Sequence, residues 1–416
     1  MGKNKIGLII IILACVGVIN VHAQQESSVN TGLQKIDHLI QKQINQEHIP
    51  GAVLLVVKNG KVLQKKAFGY ADEFNYNMQK LKHPVKMNTN TMFDLASLSK
   101  VFATTFGIML LVNQGKIHLN DKVHQYLPDF TGPEKDKITI RQLLNHTSGL
   151  YKWQPLYYKA SNQNQTYHEI CRMPLKYKVG AARHYSDLGF MMLGYLIEKV
   201  TGERLDHYLE RHLYHPLGLK HTVYNPYKLG FKNIASTSHG NPFERKMVYD
   251  DHFGYKCNVD PHSWNGWRTY TLKGQVSDGN AWYANKGIAG HAGLFSTISD
   301  LQKLVNLLLN KGIYNRKTMI RYSVIKKFIT KDKYKNGLGW DMAPDVIMAK
   351  DAPNDTFGHT GFTGTNVVIM PKYHTYYILL TNRENAGVNK KGYYFNLNPL
   401  RQKIATIILK NIVYDN

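Results

Sequence analysis

The sequence is poor in cysteine, in acidic residues and in long apolar runs. It has three cysteines in 416 residues. Cys15 lies inside the apolar N-terminal stretch, so only Cys171 and Cys257 remain for the rest of the chain. A disulfide framework is excluded; one bridge stays open, and two unpaired small hydrophobes is the simpler reading. Although the chain holds 19 histidines, it has no His-Glu-x-x-His and no paired-histidine spacing, so no catalytic metal or other cofactor is expected. Internal repeats and low-complexity linkers are absent too. Asp and Glu total 29 against 53 Lys and Arg, a formal charge of +24. There is no zinc-finger spacing and no dense basic run with interleaved aromatics, so nucleic acid is not the expected partner. The scattered lysines read as a solvated basic surface, one that suits peripheral contact with an anionic envelope polymer or membrane surface.

The longest apolar run, Ile6 to Ile19, is 14 residues, too short for a comfortable membrane span. Lys3 and Lys5 precede it and Val21-His22-Ala23 follows. This pattern is that of a secretory signal over residues 1–23, removed before Gln24, with an uncleaved anchor as the alternative. Export to the periplasm or outside the cell is therefore expected, and removing Lys3 and Lys5 lowers the charge from +24 to +22. Residues 24–30 read as a polar leader. The hydrophobic fraction of 43% is enough for a sizeable core.

Leu33, Ile36, Ile40 and Ile44 recur at helical spacing between Thr31 and Ile49, which predicts an amphipathic helix. Ala52–Val57 reads as a buried strand, Asn59-Gly60 as a hairpin turn, and Lys61–Tyr70 as the partner strand. Helices are expected from Ser97 to about Gly115, from Thr139 with Gln142 at capping-box spacing, over about Asp187–Gly202, and over Ile298–Leu309. From Ser236 to Gly293 the period disappears, and Trp264, Trp267 and Trp282 fall there; so long an irregular segment is more often functional than idle. Strands return at Thr365–Met370 and Tyr376–Thr381, and a helix from about Leu400 to Val413 closes the chain behind Pro399. The fold expected is α/β in the α+β sense. The N- and C-terminal ends form one antiparallel sheet (about 31–90 and 320–416), flanked by helices, with a mostly helical lobe (about 91–319) inserted between. Together they make one domain, 31–416, with a cleft between the lobes.

Ser97-Leu98-Ser99-Lys100 places a lysine one turn above a serine on the same helix face. A serine hydroxyl needs a base within hydrogen-bond reach, and a lysine serves as one only if its pKa is depressed. The helix start adds positive potential where an oxyanion would form. Tyr185-Ser186-Asp187 lies ahead of a helix, so Tyr185 can offer a phenol to the pair and Asp187 can orient the lysine or a substrate amide. His359-Thr360-Gly361 sits before a predicted strand that could offer backbone N–H groups, and Gly361 leaves room for close approach.

With these three boxes in this order the sequence resembles the serine β-lactamase and penicillin-binding protein superfamily, in the branch related to class C β-lactamases and D-alanyl-D-alanine carboxypeptidases. Phe93-Asp94-Leu95-Ala96, His146-Thr147-Ser148-Gly149-Leu150 and Gly293-Leu294-Phe295-Ser296-Thr297 match the same context. The resemblance implies that Ser97 forms an acyl-enzyme and that Lys100 and Tyr185 share the proton work. It implies an oxyanion hole from the backbone N–H groups of Ser97 and Phe362, and no cofactor. Asp187, His359, Thr360, Gly361 and Phe362 would face substrate. Two positions depart from the pattern. Asp187 stands where Asn is commoner and adds a negative charge near Lys100. His359 stands where Lys is commoner, and a histidine is charged only part of the time near neutral pH, which weakens a β-lactamase reading. Gly287 to Gly293, with Val276 to Ala281 before it, resembles exported muropeptide amidases; His291 and Asp278 would then line the cleft, and the three tryptophans could stack on sugar.

The leading expectation is an exported serine hydrolase of cell-wall peptides or muropeptides, either an N-acetylmuramoyl-L-alanine amidase or a D-alanyl-D-alanine carboxypeptidase. An esterase or weak β-lactamase on the same scaffold is the second, and a catalytically silent wall-binding protein the third. Intact Ser97, Lys100 and Tyr185 argue against the last.

Overall fold

The structure is a computed structural model that describes residues 27–343 and 348–413. The signal segment lies outside the described residues. The first helix is already formed at residue 27 and runs to 45, so the end of the stretch read as a polar leader is helical. Its Ile36 and Ile40 are buried against Ile404 and Ile408 of the closing helix Asn398–Ile408. No described helix is long and apolar enough to cross a membrane.

Six strands form the main sheet: β1 (Gly51–Lys58), β2 (Lys61–Phe74), β3 (Lys80–Lys86), β4 (Phe357–Thr360), β5 (Asn366–Met370) and β6 (Thr375–Thr381), in the order β4-β5-β6-β1-β2-β3. Every pairing is antiparallel. The two ends of the chain meet where β1 pairs β6, from Ala52 opposite Thr381 to Lys58 opposite Thr375. Asn59 and Gly60 both have positive φ, 51° and 77°, as a two-residue hairpin turn requires. In β1 alternate side chains enter different cores. Ala52, Leu54 and Val56 pack with the two terminal helices, whereas Val53, Leu55 and Val57 pack toward the helical lobe. A strand buried on both faces reads as a continuous apolar run, which is how this one reads.

The lobe between the sheet halves is built on two buried helices. One runs from residue 98 to 113 and carries a π-turn at Lys100–Thr105; such turns recur at functional sites. The other, Asp187–Thr201, is capped by Ser186 Oγ, which accepts from the Gly189 N–H, and ends at Gly202 with φ 71°. A short helix, Ile140–Leu144, has the expected Thr139–Gln142 capping box. The helix Tyr322–Phe328 packs against the 98–113 helix, and Trp340 lies edge-on to Phe102 at 5.9 Å. The segment from Ser236 to Gly293 also holds more order than its pattern suggests. Ser236–His239 pairs Thr271–Lys273, and Pro242–Tyr249 is a helix.

Candidate active site

A small ladder sets the position of Ser97. Phe93–Asp94 pairs Leu294–Ser296, which pairs Val223–Tyr224. Directly after the first of these strands the chain turns through Ala96, at φ 46°. A non-glycine residue in that region is strained. Asp94 holds the turn, its Oδ1 accepting from the Ala96 N–H at 2.9 Å and its Oδ2 from the Ser277 N–H at 2.7 Å. Burial raises the Asp94 pKa to about 6, against the pull of those two donors.

Lys100 is fully buried. Its Nζ donates to Ser97 Oγ at 2.9 Å and to the His291 carbonyl at 3.1 Å, and lies 2.6 Å from Asp187 Oδ1. Burial alone would lower its pKa, but the Asp187 carboxylate and the Tyr185 phenol outweigh burial and raise it above the ordinary lysine value. The depressed lysine that a base would need is therefore not found; a carboxylate pairs with it, and it is an ammonium. Tyr185 stands over the same group, its ring 5.0 Å from Lys100 Nζ. Burial raises its pKa, while Lys100 and Ser97 favour its phenolate and Asp187 opposes it; the net shift is upward. His146 packs against Tyr185 at 4.4 Å between ring centroids, and its Nδ1 accepts from the Ser186 N–H at 3.0 Å. Burial, with Arg183 and Lys100 nearby, holds His146 neutral.

The third box precedes the strand β5, as expected, and its His359 and Thr360 also end a further strand, the edge strand β4. The imidazole of His359 is buried, and Nδ1 lies 2.8 Å from the Thr360 carbonyl. A carbonyl only accepts, so Nδ1 carries the proton. Burial first, then Lys100 and Arg183, lower the His359 pKa to about 3. The partial charge expected near neutral pH is thus corrected: His359 is neutral there. Gly361 touches the Leu95 carbonyl so closely that a Cβ would overlap it and Thr365 Oγ1. Thr363 Oγ1 donates to the Asp94 carbonyl and Thr365 Oγ1 to that of Leu95, at 2.7 and 3.1 Å. These contacts bring Phe362 beside Ser97. Neither the Ser97 nor the Phe362 backbone N–H bonds to another group among the described residues, as an oxyanion site requires.

A cavity of about 370 Å³ opens over Ser97, within the range of small-molecule sites. Tyr185, Asp187, Phe362 and Asp278 line it; His359, Thr360, Gly361 and His291 do not. His291 is buried behind the lining, with Nε2 2.9 Å from Asp278 Oδ1. None of the three tryptophans of the irregular segment lines the cavity either. Trp264 and Trp267 pack on Tyr157, at 4.8 and 5.7 Å, and Trp282 lies under the Arg268 guanidinium. Besides Tyr185, the cavity's rings are Trp153, Phe243, Tyr255, Phe362 and Tyr394. Sequence reasoning missed these, except Phe362, and it missed the carboxyls of Glu244 and Glu384; no local motif marks them. Cys171 and Cys257 are free and buried. Among the described residues, no group of three or more His, Cys, Asp or Glu could hold a metal ion.

The arrangement sets a serine hydroxyl beside a lysine, a phenol and two backbone N–H groups that are unpaired among the described residues. Known proteins bear on it. Residues 36–397 match the family model described as Beta-lactamase. The chain is 37% identical over 393 residues to a Bacillus subtilis (strain 168) protein named "N-acetylmuramyl-L-alanine amidase", covering 89% of this chain and 85% of that one. It is also 37% identical over 379 residues to a Salmonella agona (strain SL483) protein named "Putative D-alanyl-D-alanine carboxypeptidase", covering 86% and 84%. Among solved structures, that titled "EstCE1, a hydrolase with promiscuous acyltransferase activity" superposes with a TM-score of 0.67 at 21% identity, over 91% of this chain and 99% of that one, a likeness of fold. The match over most of its length shows that this chain belongs to the beta-lactamase family.

Proposed function

We propose that the protein is an exported serine hydrolase that cleaves the amide between an N-acetylmuramoyl group and L-alanine, through an acyl-enzyme on Ser97. One observation carries the choice of bond: among the described residues, no lysine, arginine or histidine lines the cavity over Ser97. A D-alanyl-D-alanine terminus and a penicillin both bring a carboxylate that needs a cation facing the cavity, and Lys100, the cation at Ser97, lies behind the lining and is already paired with Asp187. A muramoyl–alanine amide presents no charge at the scissile carbonyl. The name of the Bacillus subtilis relative supports the same bond.

In this reading Ser97 Oγ attacks the lactyl carbonyl, and the oxyanion rests on the N–H groups of Ser97 and Phe362. Lys100 and Tyr185 both hold their protons at rest, so neither is a free base. Tyr185 instead acts as a relay. It takes the proton of Ser97 as it passes its own to the departing alanine nitrogen, and the C–N bond breaks. Lys100 stays an ammonium that stabilises negative charge on both oxygens. Water then cleaves the muramoyl ester through the reverse relay and frees Ser97. Asp187 and the His291 carbonyl hold the ammonium in place.

The test is mass spectrometry of the products from a muramoyl-pentapeptide. Free N-acetylmuramic acid with an intact pentapeptide is expected. Release of D-alanine with the sugar–peptide bond intact would establish the carboxypeptidase reaction instead.

A further inference from the structure

The cavity over Ser97 is lined against the trend of the chain. The sequence has 53 basic and 29 acidic residues, yet Asp187, Glu244, Asp278 and Glu384 all line the cavity, and among the described residues no lysine, arginine or histidine does. Three of these carboxyls are occupied. Asp187 pairs Lys100, and Asp278 Oδ1 meets His291 and the Ala281 N–H. Glu244 accepts from the Gly279 N–H at 2.8 Å and the Tyr157 hydroxyl at 3.3 Å. Glu384 differs. It is 0% exposed; its Oε2 accepts from Ser277 Oγ at 2.7 Å, and its Oε1 is buried with no hydrogen-bond partner among the described residues. A buried polar atom left unpaired beside a cavity is costly unless a ligand completes it.

Burial raises Glu384 to about 7, and burial with Asp278 nearby raises Glu244 as well, so both hold a proton more readily near neutrality than an ordinary carboxyl. A carboxyl in that state can donate or accept, which suits a neutral hydroxyl better than an ammonium. The wall beside Glu384 is aromatic: Phe362 packs on Phe243 at 5.0 Å and on Tyr394 at 5.8 Å, and Phe362 itself is 44% exposed. Ring faces next to hydroxyl acceptors make a surface for a saturated ring with one apolar face and polar edges.

Resting on the amidase reading, we propose that this cavity is the acyl-side subsite and takes the neutral, polyhydroxylated N-acetyl sugar ring, with Glu384 Oε1 accepting from a ring hydroxyl and Phe362 covering a ring face. The peptide lies outside, toward solvent. Glu384 is then a specificity residue; the relay at Ser97 does not use it.

The experiment compares two substrates with the same scissile amide and the same peptide: N-acetylmuramyl-L-alanyl-D-isoglutamine and D-lactoyl-L-alanyl-D-isoglutamine, which lacks the ring. The native enzyme is expected to cleave both at the lactyl–alanine bond, with kcat/KM about 100-fold or more lower without the ring. Equal kcat/KM values overturn the subsite and leave the amidase reading intact, whereas failure to cleave this bond in either substrate overturns the amidase reading itself. Glu384→Ala should raise KM for the muramyl substrate about tenfold and shrink the ratio between the two substrates, with Glu384→Gln recovering most of it. An unchanged ratio in Glu384→Ala contradicts the role of Glu384. The comparison on the native enzyme decides even where Glu384→Ala does not fold.

Discussion

Lys100 Nζ sits 2.6 Å from Asp187 Oδ1, nearer than to Ser97 Oγ at 2.9 Å. The carboxylate holds the lysine as a cation, and this fixes how the protons move. Removing that charge with Asp187→Asn takes away the influence that raises both Lys100 and Tyr185. Both pKa values then fall. If the ammonium and phenol protons are required, the high-pH decline of kcat/KM moves to lower pH in the variant, and activity at neutral pH does not rise. A pH–rate profile measures this directly. A gain of activity at neutral pH would identify Lys100 as the base.

Ser97, Lys100 and Tyr185 act as one unit in this account. Ser97→Ala should lower kcat by about three orders of magnitude or more. Lys100→Ala and Tyr185→Phe should each be severe. The double variant should cost far less than the product of the two losses, because either one already breaks the relay. Steady-state kinetics of the four proteins check this, and strictly multiplicative losses would contradict a shared network.

His359, neutral above about pH 3, should add no limb to the activity profile between pH 5 and 8. Its effect is on stability. The folded pKa lies below the unfolded value of 6.5, so the unfolded chain binds the extra proton first. The His359 contribution is therefore fully present above pH 6.5 and is lost as pH falls toward 3. His359→Gln should keep the shape of the activity profile and lose less Tm than the native protein between pH 6.5 and 4. Thermal melts across that range, with pH–rate profiles beside them, make the comparison.

Gly361 meets the Leu95 carbonyl at the turn that precedes Ser97. Gly361→Ala forces a Cβ against that carbonyl and against Thr365 Oγ1, and backbone must shift. Overpacking of this kind costs about 1–3 kcal/mol. It should also displace Ser97 from the Phe362 N–H. Denaturant melts should show the loss of stability, and the drop in kcat should exceed what the unfolded fraction explains.

Spacing made much of this architecture legible. Ser97 to Lys100, the Asn59-Gly60 turn and the Thr139–Gln142 capping box are local, and each depends on a few adjacent residues. The pairing of β1 with β6 followed from two β-rich ends around a helical middle. Charge state was not legible. The sequence put the negative charge of Asp187 near Lys100, but nothing in it gave the 2.6 Å pairing that keeps the lysine charged, or the burial that strips His359 of its proton. Glu384 and Glu244 reach the cavity from a turn after β6 and from a short helix, so no sequence window contains the subsite. The tryptophans drew attention by their density, but two of them pack on Tyr157. Trp153, outside that segment, lines the cavity instead.

The central claim is a sugar-bearing acyl group on Ser97. Rapid acid quenching during turnover of a muramoyl-peptide, followed by peptide mapping by mass spectrometry, reads it in one step. The account predicts an N-acetylmuramoyl ester on the peptide that contains Ser97, with no amino acid of the substrate retained. A substrate-derived peptidyl ester on Ser97, or an adduct on Ser99 or any other side chain, would contradict it.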